Sequence, residues 1–308
     1  MDMESRYHSQ STFLMEGALG ERLKHEYGLY PDGDVMLASH VYDDRGREAL
    51  RALWNEYIEI ARDHGRPFLA TTPTRRANQE RIERSKYSPA IIADNVALLK
   101  SIRDQARHEM YVGALVGCRG NAYDAKDVMD ETEAQRFHGW EIGLFAKSGV
   151  DFFYAGIMPA LPEAAGMAKA LSEIQIPYII SLMIRGDGRL LDGTSLHDAI
   201  AYIDEFVSYP PLCYMTNCVH PDVVLRALSQ PWNRTKPVRV RFRGIQANAS
   251  ALAPEELDGS KDVQSSSPGD LAEGICRLGE RMDLTIVGGC CGTDGRHLRA
   301  IAEALWPR

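Results

Sequence analysis

The feature that most constrains this chain is an eightfold alternation. Short β-rich runs at residues 12–16, 67–72, 111–116, 151–155, 177–183, 212–216, 239–247 and 284–287 are separated by stretches of helical character. The clearest helix is predicted over 47–64, where Leu50, Leu53, Trp54, Tyr57, Ile58 and Ala61 recur at helical spacing. Others are predicted over 78–86, 89–108, 132–148, 162–174, 195–207, 221–228 and 296–305. Strands that alternate with helices favour a parallel sheet. Eight such units predict an α/β fold of (β/α)8 TIM-barrel type, a single domain over residues 1–308. An open doubly wound sheet is the alternative, but no GxGxxG or Walker loop supports it. The run at 239–247 is the most ambiguous, because its alternating arginines put charge on one face. Residues 258–269 are polar and aperiodic, and are predicted to form a loop.

Charge and hydropathy narrow the function. Thirty-five basic against 43 acidic residues give a net charge of -8, which argues against nonspecific nucleic-acid binding. No window is long and apolar enough for a membrane helix, and the start MDMESRYHSQ has no secretory apolar stretch. A cytoplasmic protein is therefore expected. Its six cysteines are expected to be reduced, and a metal role outranks a disulfide framework.

The cysteines are unevenly placed. Cys290 and Cys291 are adjacent, follow the eighth predicted strand and sit among glycines. Cys218 follows the sixth predicted strand. In a barrel these positions share the catalytic rim, so three thiolates can converge there. Cys118 is also on the rim side but lacks a supporting motif, and Cys213 and Cys276 are expected to be packed thiols. Zinc favours sulfur ligands in a tetrahedral shell, and a catalytic zinc keeps one position open. A fourth, incoming thiol would lose its proton on binding such a metal. The chemistry expected is alkyl transfer onto sulfur.

The motifs carry a resemblance. Asn217-Cys218 with His220-Pro221, and Gly288-Gly289-Cys290-Cys291-Gly292-Thr293, resemble the zinc motifs of the homocysteine S-methyltransferase family. That family includes betaine- and S-methylmethionine-dependent enzymes and the homocysteine module of cobalamin-dependent methionine synthase. The similarity runs in register over roughly residues 12–305. It implies a (β/α)8 barrel with Zn2+ held by Cys218, Cys290 and Cys291. Two further segments are similar. Met15-Glu16-Gly17 matches a first-strand motif in which Asp is usual at the position of Glu16, whose carboxylate would meet the substrate's amino group. Thr72-Pro73-Thr74-Arg75-Arg76-Ala77-Asn78 matches Thr-Asn-Thr-Phe-Gly-Ala-Asn at Thr72, Thr74 and Asn78. The resemblance thus implies catalytic roles for Glu16, Thr72 and Thr74, and substrate contacts at Asn78, Asn217 and Asn248; Arg75, Arg76 and Gly156, where the chain departs from the family, are expected to meet the substrate as well.

The departures matter as much. Arg75 and Arg76 replace Phe and Gly, and two guanidiniums at a barrel mouth suit an anionic group. Gly156 stands where the family has a glutamate that contacts the homocysteine amino group, so recognition of the amino acid is expected to differ. Tyr154 and Met158 are expected to pack in the core rather than border the donor, and His220 to cap a helix. The loop at 185–194 is similar to a family loop, with an ordinary turn equally open.

The resemblance implies an S-methyltransferase that moves a methyl group from a small donor, such as S-methylmethionine, S-adenosylmethionine or a betaine, to a thiol. Homocysteine is the expected acceptor, giving methionine. A corrinoid would have to arrive on a partner protein, since the barrel fills the chain. A different, anionic thiol and a non-catalytic zinc-binding barrel are the alternatives. Assembly into a homo-oligomer is left open.

Overall fold

The computed structural model of the protein describes residues 1–9, 11–250 and 266–307. Eight strands close into one barrel in sequence order: β1 Phe13–Met15, β2 Phe68–Thr71, β3 Met110–Gly117, β4 Phe152–Met158, β5 Tyr178–Leu182, β6 Cys213–Val219, β7 Phe242–Ala247 and β8 Ile286–Gly289. Every neighbouring pair is parallel, and β1 joins β8 through Phe13↔Ile286 and Leu14↔Val287. The (β/α)8 barrel is the architecture the alternation predicts.

Two apolar layers hold it. Phe13, Leu69, Tyr111, Phe152, Ile179 and Met215 are among the side chains packed inside the barrel. The opposite faces of the strands pack against the helices, as period-two side-chain alternation requires. The helix Asp44–Asp63 is typical of the outer layer. Asp43 caps it by accepting from Gly46 N at 3.0 Å, and Leu50, Leu53, Trp54, Tyr57, Ile58 and Ala61 are all buried. A short helix, Met3–His8, was not legible in the sequence. Its Met3 packs with Phe13 and Ile286, at the N-terminal ends of their strands, so it closes the bottom of the barrel.

Three boundaries differ from the sequence reading. Residues 236–241 are helical, and β7 starts only at Phe242. Thr235 caps that turn, Pro237 supplies a preset helical φ, and Arg239 and Arg241 lie in the last turn, where the dipole favours cations. Arg241 also pairs with Asp204 at 2.7 Å, so the arginine alternation marks a helix end. Second, β4 and β6 run on through Gly156 and Cys218 instead of ending before them. Each passes through a bulge, with register shifts between Ala155 and Met158 and between Asn217 and Val219. Third, β8 is displaced toward its C-terminus and takes in Gly288 and Gly289. Of the loop predicted over 258–269, residues 258–265 lie outside the described residues, and Ser267 caps the helix Pro268–Gly279. No described helix is long and apolar enough to cross a membrane.

Candidate active site and metal centre

At the C-terminal end of the strands, where barrels carry their sites, a cavity of about 390 Å³ opens. Glu16, Arg75, Tyr154, Cys218, Cys290 and Cys291 are among its lining residues.

The sulfur side is built from β6 and β8. Cys218 sits in the left-handed region with φ 57°, and Ile157 on β4 does the same with φ 58°. Non-glycine residues are uncommon there, and such strain clusters at functional sites. Asn217 links the two bulges. Its Oδ1 accepts from Ile157 N at 3.0 Å and from Ser181 Oγ at 2.5 Å, while its Nδ2 points to Cys218 Sγ at 3.7 Å. Asn217 lines the cavity, but this amide is committed to holding a cysteine in place.

Across the cavity, Cys290 N donates to Ala247 O at 2.7 Å and Cys291 O accepts from Ala249 N at 3.0 Å. Thr293 closes the turn: its hydroxyl donates to Cys290 O at 2.6 Å and accepts from Ala18 N at 3.2 Å. The sequence reading gave Thr293 no role. The paired glycines have a steric reason. A Cβ on Gly288 would fall 2.9 Å from Met15 Cβ and 3.0 Å from Glu16 O, and one on Gly289 would collide with Thr293. Without side chains, β8 comes close enough to β1 for Gly289 N to reach Glu16 O at 3.0 Å.

The three sulfurs lie within 4.8 Å of one another, and among the described residues they form the one group able to hold a metal. The Cys218 and Cys290 sulfurs are in direct contact, and the Cys291 thiol lies beside them. The set was tested for metal fit on its donors. Tetrahedral zinc–sulfur bonds of about 2.3 Å place sulfurs about 3.8 Å apart. Cys218 Sγ and Cys291 Sγ stand 4.0 Å apart. Desolvation pushes the Cys291 thiol up to about 12, Glu21 adds to the rise and Arg75 opposes it. A thiol so placed needs a bound cation to become a thiolate at neutral pH. Three soft donors converging on one open cavity fit a thiophilic metal.

The polar side comes from β1, β2 and β3. Glu16 is buried, and its carboxylate accepts from Thr71 N at 3.0 Å and Thr71 Oγ1 at 2.6 Å. Burial still pushes its pKa up to about 8, against the lowering effect of those bonds. Thr72 Oγ1 and Thr74 Oγ1 share a hydrogen bond of 2.7 Å and tie β2 to Leu115 on β3. Thr72 touches the cavity, whereas Thr74 lies behind it. Asn78 caps the helix Gln79–Arg84 by accepting from Arg81 N at 3.1 Å, and Asn248 donates to Ser250 O at 3.3 Å. Neither lines the cavity. Gln246, two residues before Asn248, does, and donates to Glu16 O at 3.4 Å. His220 caps the helix Pro221–Leu228, and the 185–194 loop does not reach the lining.

The two arginines divide. Arg76 aims its guanidinium at the carbonyls of Cys118, Arg119 and Gly120, fastening the loop after β3. Arg75 makes no hydrogen bond or ion pair with any described residue and lines the cavity. It lies across Gly117, where a Cβ would fall 2.5 Å from Arg75 Cγ. Lys24 and Glu21 also border the mouth, and the sequence reading named neither. Gly156 lines the cavity from β4. A Cβ there would fall 2.6 Å from Leu115 Cδ1, so Leu115 occupies the space that a glutamate would need.

Comparisons with known proteins place the chain in a family. Residues 13–305 match the profile described as homocysteine S-methyltransferase. An S-methylmethionine–homocysteine S-methyltransferase of Rattus norvegicus is 24% identical over 278 residues, 84% of this chain and 70% of that protein. One of Mus musculus is 24% identical over 217 residues, 63% of this chain and 56% of that protein. The metallated form of the homocysteine methyltransferase MmuM from Escherichia coli superposes with a TM-score of 0.76 at 19% identity, covering 97% of this chain and 98% of that one. Its oxidized form gives 0.75 at 19% identity, covering 94% of each chain. The profile match spans the whole barrel and all three clustered cysteines: the chain belongs to the homocysteine S-methyltransferase family and, with it, to the thiol methyltransferases.

Proposed function

We propose that the chain uses Zn2+ at Cys218, Cys290 and Cys291 to methylate homocysteine from a small cationic methyl donor, giving methionine. The observation that carries this reading is the convergence of three sulfurs on a cavity that also holds a buried carboxylate. When bound, zinc would take up the acceptor thiol as a thiolate, a nucleophile at neutral pH.

The protein's own groups do the rest. Glu16 receives the acceptor's ammonium, and that cation favours the ionised carboxylate despite burial. Arg75, without a hydrogen-bond or ion-pair partner among the described residues, takes the acceptor's carboxylate. Thr71 fixes the Glu16 carboxylate, and Asn217 directs an N–H at the Cys218 sulfur. Holding both substrates in one enclosed space replaces a bimolecular encounter with a positioned one. A cavity of about 390 Å³ is at the small end for ligand pockets and favours S-methylmethionine or a betaine over a corrinoid carried on a partner.

The test is methyl transfer from S-methylmethionine and from betaine to homocysteine, before and after chelation. Turnover that disappears on chelation and returns with zinc is expected. Metal-free protein that turns over at the parental rate contradicts the reading. Tight zinc with no turnover from either donor favours a non-catalytic barrel.

A further inference from the structure

We infer that Tyr154 is a specificity-determining residue whose hydroxyl binds the amino group of the thiol substrate. The inference rests on the methyl-acceptor reading above and concerns a residue that sequence reasoning placed in the core.

Tyr154 lines the cavity and is 1% exposed, and its hydroxyl has no hydrogen-bond partner among the described residues. Ser181 Oγ is the nearest candidate partner, close enough for a long, weak hydrogen bond that lowers the phenol's pKa, but it gives its own hydrogen to Asn217 Oδ1 and forms no well-shaped bond with Tyr154. Buried hydroxyls without partners are rare, because desolvation is then uncompensated. Phenylalanine would fill the same space without that cost. A hydroxyl kept there, at the wall of a ligand cavity, is accounted for by a ligand.

The neighbours decide which group it meets. Tyr154 is the one polar side chain on β4, and it stands two residues before Gly156, on the same face of the strand. Gly156 offers no side chain, and Leu115 closes the space beside it. β4 therefore reaches the substrate through Tyr154. The charge of Glu16 bears on this hydroxyl, which disfavours an anion there. Burial also raises the phenol's pKa, so it stays neutral. An ammonium has three hydrogens to donate; Glu16 and the phenol oxygen can each accept one. A neutral hydroxyl thus takes up part of a task that a charged carboxylate at position 156 would otherwise perform.

The test is Tyr154→Phe in the full, zinc-loaded chain. Homocysteine and 4-mercaptobutanoate, which keeps the thiol and carboxylate but lacks the amine, are titrated calorimetrically. Thermal unfolding of the ligand-free proteins is read alongside. The variant is expected to bind homocysteine about tenfold more weakly, 4-mercaptobutanoate unchanged, and to melt at the same or a higher temperature. Equal weakening of both thiols, or of neither, overturns the inference. So does a lower melting temperature, which would make the hydroxyl structural. If the parent binds neither thiol, the acceptor reading fails on that evidence alone, and the melting comparison still decides whether the hydroxyl has a structural partner.

Discussion

The two sides of the cavity are built differently. On the sulfur side, backbone hydrogen bonds, two strand bulges and close-packed glycines leave each cysteine little freedom. On the polar side, Arg75 and the Tyr154 hydroxyl line the cavity and make no well-shaped hydrogen bond among the described residues, and a glycine stands where a glutamate is usual. The sulfur side carries chemistry that any acceptor thiol would need. On the proposed function the polar side would carry recognition, and there the chain departs from its family's motif at Arg75, Arg76 and Gly156. On that reading reaction and specificity fall to different side chains, although β4 contributes to both sides.

That division can be broken most severely from the sulfur side. Cys218→Ser is expected to lose zinc and to lower kcat/KM by more than about a hundredfold, beyond what residues supporting a metal's ligands typically cost. Metal analysis with turnover checks it. Retained zinc and activity would merge the two sides into one ordinary pocket.

The polar side should respond in KM. Arg75→Leu is expected to raise KM for homocysteine about 10- to 100-fold, the loss of a charge-assisted hydrogen bond worth about 1.5–3 kcal/mol, with zinc retained. Arg76→Leu should instead lower thermal stability, because its guanidinium holds three loop carbonyls, and change KM only a few-fold. Steady-state kinetics and melting curves for the pair separate the roles. Equal effects on KM would show that both guanidiniums serve the substrate.

Much of the fold was legible because the strand and helix periods are local properties of the chain. The convergence of three cysteines was legible too, since Cys290 and Cys291 are adjacent and Cys218 lies near the end of a strand at the same rim. The bulges at Ile157 and Cys218 were not, as a left-handed φ at a non-glycine residue leaves no residue-type signature. Nor could the sequence separate Arg75 from Arg76. Which one faces the cavity depends on Gly117 and on the carbonyls of residues 118–120, about forty positions away. Tyr154 looked like core because it is buried, and its significance lies in a missing hydrogen bond. Asn78 and Asn248 matched or resembled family positions, yet here they cap a helix and brace a turn.

The central claim is that Cys218, Cys290 and Cys291 hold one zinc with a position open to the substrate's sulfur. Zinc X-ray absorption of the loaded protein, without and with homocysteine, tests it most directly. The account predicts three sulfur neighbours at about 2.3 Å in the free protein and a fourth once homocysteine is added. A sulfur count that stays the same on addition, or a zinc bound without these sulfurs, would contradict it.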